Sequence, residues 1–160
     1  MYKIDKIDLK IIDLLMEDGR IHAAEIARRI GNLSERAVRY RIERMSENQV
    51  IRVSAIVNPK AIGLAVVADV WLTCDSDAIQ DVARQVAQFE NVSYVACAIG
   101  ETDVSVQIQA RDTAEVYRFV TEVIGKVPGV RKTTTSIVPL VLKDIYQWRI
   151  PPLVVQDGHE

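Results

Sequence analysis

The chain has 160 residues, is 49% hydrophobic and 26% charged, and carries a formal net charge of −2. That length and balance suit one ordinary domain or two small ones, and the net charge excludes a uniformly basic nucleic-acid binder. No apolar run reaches the roughly 18 residues of a membrane span.

The N-terminus, MYKIDKIDLK, lacks the continuous apolar core of a secretory signal. Cys74 and Cys97 sit in apolar β-branched runs, and no CxxC or Cys/His cluster occurs. The expectation is a cytoplasmic protein with buried free thiols, no metal, no cofactor and no membrane partner. The charge is unevenly spread. Residues 1–60 hold 12 Lys/Arg against 9 Asp/Glu, and residues 61–160 hold 8 against 13. A basic first third on an acidic remainder indicates two modules with different partners.

In chain order, Asp5 precedes KIDLKIIDLLMEDG, where Ile7, Ile11, Leu14 and Leu15 recur at helical spacing. Asp5 is placed to cap this first helix, Asp8 to oppose its dipole and Gly19 to stop it. A second helix, HAAEIARRIG, aligns Ala23, Ile26, Ala27 and Ile30 and ends at Gly31. Leu33 then turns back to the core and Ser34 caps a third helix, in which Val38, Ile42 and Met45 form a narrow seam.

The stretch LSERAVRYRIERM over 33–45 holds four arginines and two glutamates. Helix, short Gly-containing turn and helix form the helix-turn-helix pattern, whose second helix enters the major groove N-terminal end first. Arg36, Arg39 and Tyr40 are the candidates for base edges, because a guanidinium matches guanine O6/N7. Ser34 and the helix N-terminal amides suit a phosphate. Arg28, Arg29, Arg41 and Arg44 are phosphate contacts or structural pairs. The opposing reading makes Glu35 and Arg39 only a solvated i,i+4 salt bridge, but the preceding helix and turn favour DNA.

VIRVSAIV over 50–57 is β-rich and NP breaks it, which reads as a hinge strand and linker. From residue 65 the period changes. AVVADVWLTC reads as a strand, and SDAIQDVARQVAQF as a helix capped by Asp75 or Ser76. NVSYVACAIG and DVSVQIQA are strands around the turn GET. TAEVYRFVTEVIGKVPG is a helix capped by Thr113, and VRKTTTSIVPLVLKD a last strand region. The order β-α-β-β-α-β is the ferredoxin-like arrangement, with both helices on one face of an antiparallel sheet. Val, Ile and Leu are frequent enough that the other face is expected to need a cover, which implies a partner subunit.

Five segments in order, IDKIDLKII, IARRIGNLSERAVRYRIERM, IRVSAIVNPKAIG, AIGETDVSVQIQARD and VPGVRKTTTSIV, resemble the Lrp/AsnC, or feast/famine, transcription regulators over about residues 4–145. The fold class expected is α+β: an N-terminal winged-type helix-turn-helix followed by a ferredoxin-like βαββαβ effector and oligomerisation domain. The domain division is 1–52 for the DNA-binding head, 53–64 for a β hinge, 65–145 for the effector domain and 146–160 for a C-terminal tail. The resemblance implies double-stranded DNA with a pseudo-palindromic operator, an amino-acid-like effector, and a homodimer that assembles further to an octamer. Carried over residue by residue, it implies an effector site with Gly100 for close backbone approach, Asp103 for an amino group, and hydroxyls from Thr133 and Thr135.

Three features depart from the family pattern. Asn32 lengthens the inter-helix turn by one residue, Gln49 replaces the usual glycine after the third helix, and the tail WRIPPLVVQDGHE follows no family motif. Two other functions share some of these residues. An effector-independent DNA-wrapping architectural protein would carry the same head. A sirohaem-decarboxylase-like enzyme would need histidines around a tetrapyrrole, and the chain has only His22 and His159. With no GxSxG, HExxH, P-loop or Rossmann fingerprint either, the chain is expected not to be an enzyme.

Overall fold

The computed structural model describes residues 2–151, which divide into two compact units. The first contains the N-terminal residues through Ile56 together with the segment from Leu142; the second is Val57–Val141. By contacts within the chain, residues 142–151 group with the first unit. Residues 152–160 of the expected tail lie outside the described residues.

Three helices build the head: α1 (Lys6–Glu17), α2 (Ala23–Ile30) and α3 (Glu35–Glu47). Each gives side chains to one small core, Ile11 and Ile12 from α1, Ile26 from α2, Val38 and Met45 from α3. Ile12 lies off the predicted stripe but is nonetheless buried, and Ile150 from the C-terminal segment packs onto the same core. α1 starts as expected. Asp5 Oδ1 accepts from the amides of Ile7 and Asp8 at 2.8 and 2.7 Å, closing a capping box with Asp8. Its stop is earlier than expected: Asp18 is the C-cap in an extended conformation, and Gly19 takes no positive φ.

Asp8 is 1% exposed and is the one buried charged side chain among the described residues. A buried carboxylate must be paired. Arg41 Nη1, on α3, donates to Asp8 Oδ1 and to Asp5 Oδ2, both at 2.7 Å. Tyr2 Oη donates to Asp8 Oδ2 at 3.1 Å. Burial pushes the Asp5 carboxyl up, but the Asp8 amide and the Arg41 guanidinium outweigh it and hold it below its ordinary 3.8.

α3 ends in a Schellman motif. The Val50 amide donates to Met45 O at 2.8 Å and the Gln49 amide to Ser46 O at 3.0 Å. Gln49 takes the left-handed position at φ 57, where a Cβ is strained. No strand exists among the described residues of the head. The expected hinge strand at 50–57 has no ladder partner among the described residues, and Pro59–Ile62 form a 3-10 turn. β-branched composition alone does not make a strand, which also needs a neighbour to bond with.

The second unit is a four-stranded antiparallel sheet in the order β2-β3-β1-β4, from β1 (Val66–Cys74), β2 (Val92–Cys97), β3 (Val104–Ala110) and β4 (Val130–Val138). Helices α4 (Ile79–Val86) and α5 (Thr113–Arg118) complete the βαββαβ order. α5 continues as a π turn through Val123 and a 3-10 turn through Lys126. The alternation in β1 and β3 buries Ala68, Val70, Leu72, Val104, Val106 and Ile108 against Val82, Val86, Val116, Val120 and Ile124 of the helical segments. Phe89 and Phe119 meet edge to face at 5.7 Å.

Both predicted helix caps in this unit are corrected. α4 begins after Ala78 with no side-chain cap: Asp75 and Ser76 lie three and two residues ahead of that position, in a turn closed by the Ala78 amide on Asp75 O at 2.9 Å. α5 is capped by Asp112, whose Oδ1 accepts from the Glu115 amide at 2.7 Å, and Thr113 is its first helical residue. The second sheet face is also more polar than expected. The register puts Asp69, Thr73, Ser105, Gln107, Thr134 and Ser136 there, around Val67, Trp71, Tyr94 and Val138. Gln107 Nε2 donates to Asp69 Oδ1 at 3.0 Å. Most of the Val, Ile and Leu side chains are spent on the helix side.

Replacing Arg41 by Ala should lower the unfolding free energy of the head by about 3 kcal/mol, since it strands a buried carboxylate; Asp8→Asn in that background should recover part of it. Denaturant melts of the single and double variants measure both. Because the Asp5 carboxyl is depressed, its contribution is present above pH 3.8 and is lost as the pH falls below that value, so acid melts should show the head weakening there. Gln49→Gly should raise stability by about 0.5–1 kcal/mol by removing the Cβ from a left-handed position; an unchanged or lower melting temperature would show that the Gln49 side chain contributes.

Candidate nucleic-acid interface and effector site

The turn between α2 and α3 carries the extra residue by placing Gly31 and Asn32 in succession at φ 73 and φ 52. Glycine and asparagine are the residues that accept positive φ most readily. Leu33 is then half buried, and Ser34 Oγ caps α3 by accepting from the Ala37 amide at 3.2 Å. With Val38 and Met45 fully buried, helical geometry directs Arg36, Tyr40 and Arg44, spaced four apart, along the outward side of α3.

The structure sorts the predicted DNA-contacting residues by what already holds them. Arg28 and Arg29 share Glu25 through three hydrogen bonds, Arg28 Nε and Nη2 and Arg29 Nε, each at 2.7 Å, and Arg29 also lies 3.9 Å from Glu17. Hydrogen bonds from both arginines pull Glu25 down to about 2. Arg39 Nε donates to Glu35 Oε1 at 2.9 Å, the i,i+4 pair expected of a solvated face. These are exposed pairs, worth about 0–1 kcal/mol, which a phosphate or base edge can displace. Arg41 differs. Its guanidinium is committed to Asp5 and the buried Asp8, so of its two expected roles it takes the structural one. Arg36 and Arg44 pair with no carboxylate among the described residues. Tyr40 is 57% exposed.

Arg44 instead meets rings. Its guanidinium carbon lies 5.6 Å from the Tyr2 ring centroid and 5.7 Å from that of Tyr40. Sequence reasoning missed Tyr2, because a residue ahead of the first helix carries no periodic signal, and it missed the pairing of Arg41 with residues 33 and 36 positions away.

In the second unit, Asp103 sits where β3 begins. Its amide donates to Leu72 O at 2.9 Å and its Oδ2 accepts from the Cys74 amide at 2.8 Å, which fixes the end of β1. No residue among those described bonds its Oδ1. Burial, then the charges of Asp103 and Asp75, push the Cys74 thiol up, so it stays a neutral buried sulfhydryl; Cys97 is free and exposed, against the expectation of two buried thiols. Gly100 is exposed, with open space where a Cβ would be. Thr133 pairs with Leu72 and Thr135 with Val70, so β1 lies between Asp103 and the threonines. Thr133 is at the same sheet end as Asp103, while Thr135 is one pleat further along. Among the described residues no His/Cys/Asp/Glu group could hold a metal ion, and no helix is long and apolar enough to cross a membrane.

Comparison with known proteins follows the same two-part division. The AsnC-type helix-turn-helix domain matches residues 4–46, and the Lrp/AsnC ligand binding domain matches residues 67–147. An uncharacterised HTH-type transcriptional regulator of Pyrococcus horikoshii is 35% identical over 142 residues, covering 88% of this chain and 89% of its own. The HTH-type transcriptional regulator LrpA of the same organism is 31% identical over 141 residues, 88% of this chain and 99% of that one. Among solved structures, a Neisseria meningitidis transcriptional regulator in complex with L-methionine superposes with a TM-score of 0.86 at 25% identity, over 94% of this chain and 99% of that one. The AsnC structure of E. coli shares the fold, with a TM-score of 0.82 at 22% identity over 91% and 99% of the two chains. With both modules matched in order and the head's outward arginines in place, the chain belongs to the Lrp/AsnC family of helix-turn-helix DNA-binding transcriptional regulators.

Proposed function

We propose that this regulator reads a pseudo-palindromic operator as a homodimer, assembling further to an octamer, and that an amino-acid-like effector controls it from the β3 end of the second unit. The division is that of the sequence reading: a DNA-binding head, a hinge, and an effector and oligomerisation domain, in the cytoplasm. The observation that carries the effector reading is Asp103. One carboxylate oxygen holds the Cys74 amide and the other has no partner among the described residues, beside the exposed Gly100. A carboxylate already oriented by the fold is suited to an ammonium group. The ligand-binding-domain match over 67–147 supports this, as does the methionine bound by the Neisseria relative. Thr133, at the same end of the sheet, supplies a hydroxyl; Thr135, opposite Val70, is the weaker member of the set.

On the DNA side, Arg36, Arg39 and Tyr40 face base edges. Ser34, Arg28, Arg29 and Arg44 face phosphates, and Arg41 supports them from beneath. Assembly is supported by Trp71, Tyr94 and Val138 on the sheet face away from the helices, and by the exposed Val53, Ile56 and Val57 of the unpaired hinge.

A thermal-shift screen of the twenty amino acids against the full chain tests the effector. One or more should stabilise the protein, by about 2.7 kcal/mol at a hundredfold excess over Kd. Asp103→Asn keeps an oxygen for the Cys74 amide but loses the charge, so it should melt near the wild type and lose the shift; an undiminished shift removes Asp103 from the site. For DNA, Arg36→Ala should reduce discrimination between the selected operator and a mismatched site by about 1–3 kcal/mol, read by competition binding. Equal loss on both sites would place Arg36 on phosphate instead.

A further inference from the structure

We propose that the cleft between the N-terminal residues and α3 seats a phosphate of the duplex backbone, with Arg44 as its cation and Tyr2 as the residue that positions Arg44. The cleft has a volume of about 700 Å³ and is lined by Tyr2, Lys3, Leu33, Tyr40, Arg44 and Asn48 above the Asp5–Asp8–Arg41 floor. The proposal rests on the DNA-binding role of α3 and deepens it with a positioning residue, Tyr2, from outside the helix-turn-helix.

Arg44 is held differently from the other arginines of the head that are fixed. Arg28, Arg29, Arg39 and Arg41 each give hydrogen-bond donors to a carboxylate. Arg44 is held by two ring faces, at 5.6 and 5.7 Å. A ring face attracts the cation without consuming its N–H donors, so the planar fork stays open for the two oxygens of a phosphodiester.

Tyr2 is fixed in its turn. Its hydroxyl donates to Asp8 Oδ2 at 3.1 Å, and Asp8 is buried and bound by Arg41. Burial, then Asp8, push the Tyr2 phenol up, so this donor persists at any physiological pH. A rigid chain therefore runs from the buried carboxylate through the Tyr2 ring to an exposed guanidinium. The floor carries a formal charge of −1, one Arg41 guanidinium against the carboxylates of Asp5 and Asp8, which the two cations at the mouth outweigh. Lys3 and Arg44 supply the attraction at the mouth, and neither pairs with a carboxylate among the described residues.

The test measures binding of the full chain to a short random-sequence duplex by fluorescence anisotropy at several salt concentrations. Arg44→Ala should reduce the slope of log K against log[salt] by about 0.9, the value for one phosphate. Tyr2→Leu should weaken binding about threefold at fixed salt, whereas Tyr2→Phe, which keeps the ring but loses the bond to Asp8, should fall between Tyr2→Leu and the wild type. In the Arg44→Ala background Tyr2→Leu should add nothing. An unchanged slope in Arg44→Ala overturns the phosphate seat. An equal Tyr2→Leu loss with and without Arg44 overturns the positioning role. If the wild type shows no salt-dependent duplex binding, the DNA-binding role itself fails; if it binds and Arg28→Ala, at a residue assigned to phosphate, lowers the slope while Arg44→Ala does not, only the cleft fails. Inorganic phosphate at constant ionic strength should leave the melting temperature unchanged, and a rise abolished by Arg44→Ala would assign the cleft to a free anion instead of a duplex.

Discussion

The head depends on one ion cluster, Arg41 with Asp5 and Asp8. Asp5 and Asp8 begin α1, and Arg41 lies midway along α3. A three-helix unit with five fully or nearly buried apolar side chains has little packing energy to fix helix orientation. The cluster adds direction: both 2.7 Å bonds leave the same nitrogen, so α3 is held to the first turn of α1 at a defined rotation. That rotation decides which residues of α3 face outward. A buried ion pair contributes little net stability, but losing one partner is expensive, and this asymmetry suits an element whose task is register.

The same chemistry, placed at the surface, has the opposite consequence. Arg28, Arg29 and Arg39 pair with glutamates in water, where the pairs are nearly neutral in energy. They keep the arginine stems ordered and their charge balanced until a polyanion offers a better partner. The surplus positive charge that the first sixty residues carry is therefore displayed unevenly. Arg36 and Arg44 present it unpaired, the glutamate-bound arginines hold it in reserve, and Arg41 has none to give.

Legibility in the sequence followed the range of the interactions. Asp5, Gly31 and Ser34 act on neighbours within four residues, and each was readable as a cap or a stop. So was the βαββαβ order, because hydrophobic period changes at each element boundary. What the sequence hid was long-range or competitive. Arg41 looks like any exposed arginine until Asp8 is known to be buried. Asp75 looks like a helix cap, but a turn over the next three residues delays the helix to Ile79. Asp112 and Thr113 are both good caps, and one residue of helix phase chose between them. Burial of Ile12 and the polar second sheet face depended on register, which composition does not record. Asp103 was singled out as an effector ligand only through resemblance, and its bond to the Cys74 amide had no sequence signature.

That bond bears on how a ligand at Asp103 would be felt by the protein. The carboxylate closes the end of β1 through Oδ2, and the Asp103 amide closes it again through Leu72 O. An ammonium group bound at Oδ1 would draw charge density from the oxygen that holds the strand, so ligand and strand end compete for, and jointly order, one side chain. β1 is the central strand paired to both β3 and β4, so a change in its final residues reaches Thr133 across the ladder at Leu72. In that reading Thr133 would adjoin the same strand end as Asp103 through its pairing with Leu72, while Thr135, opposite Val70, lies further from it.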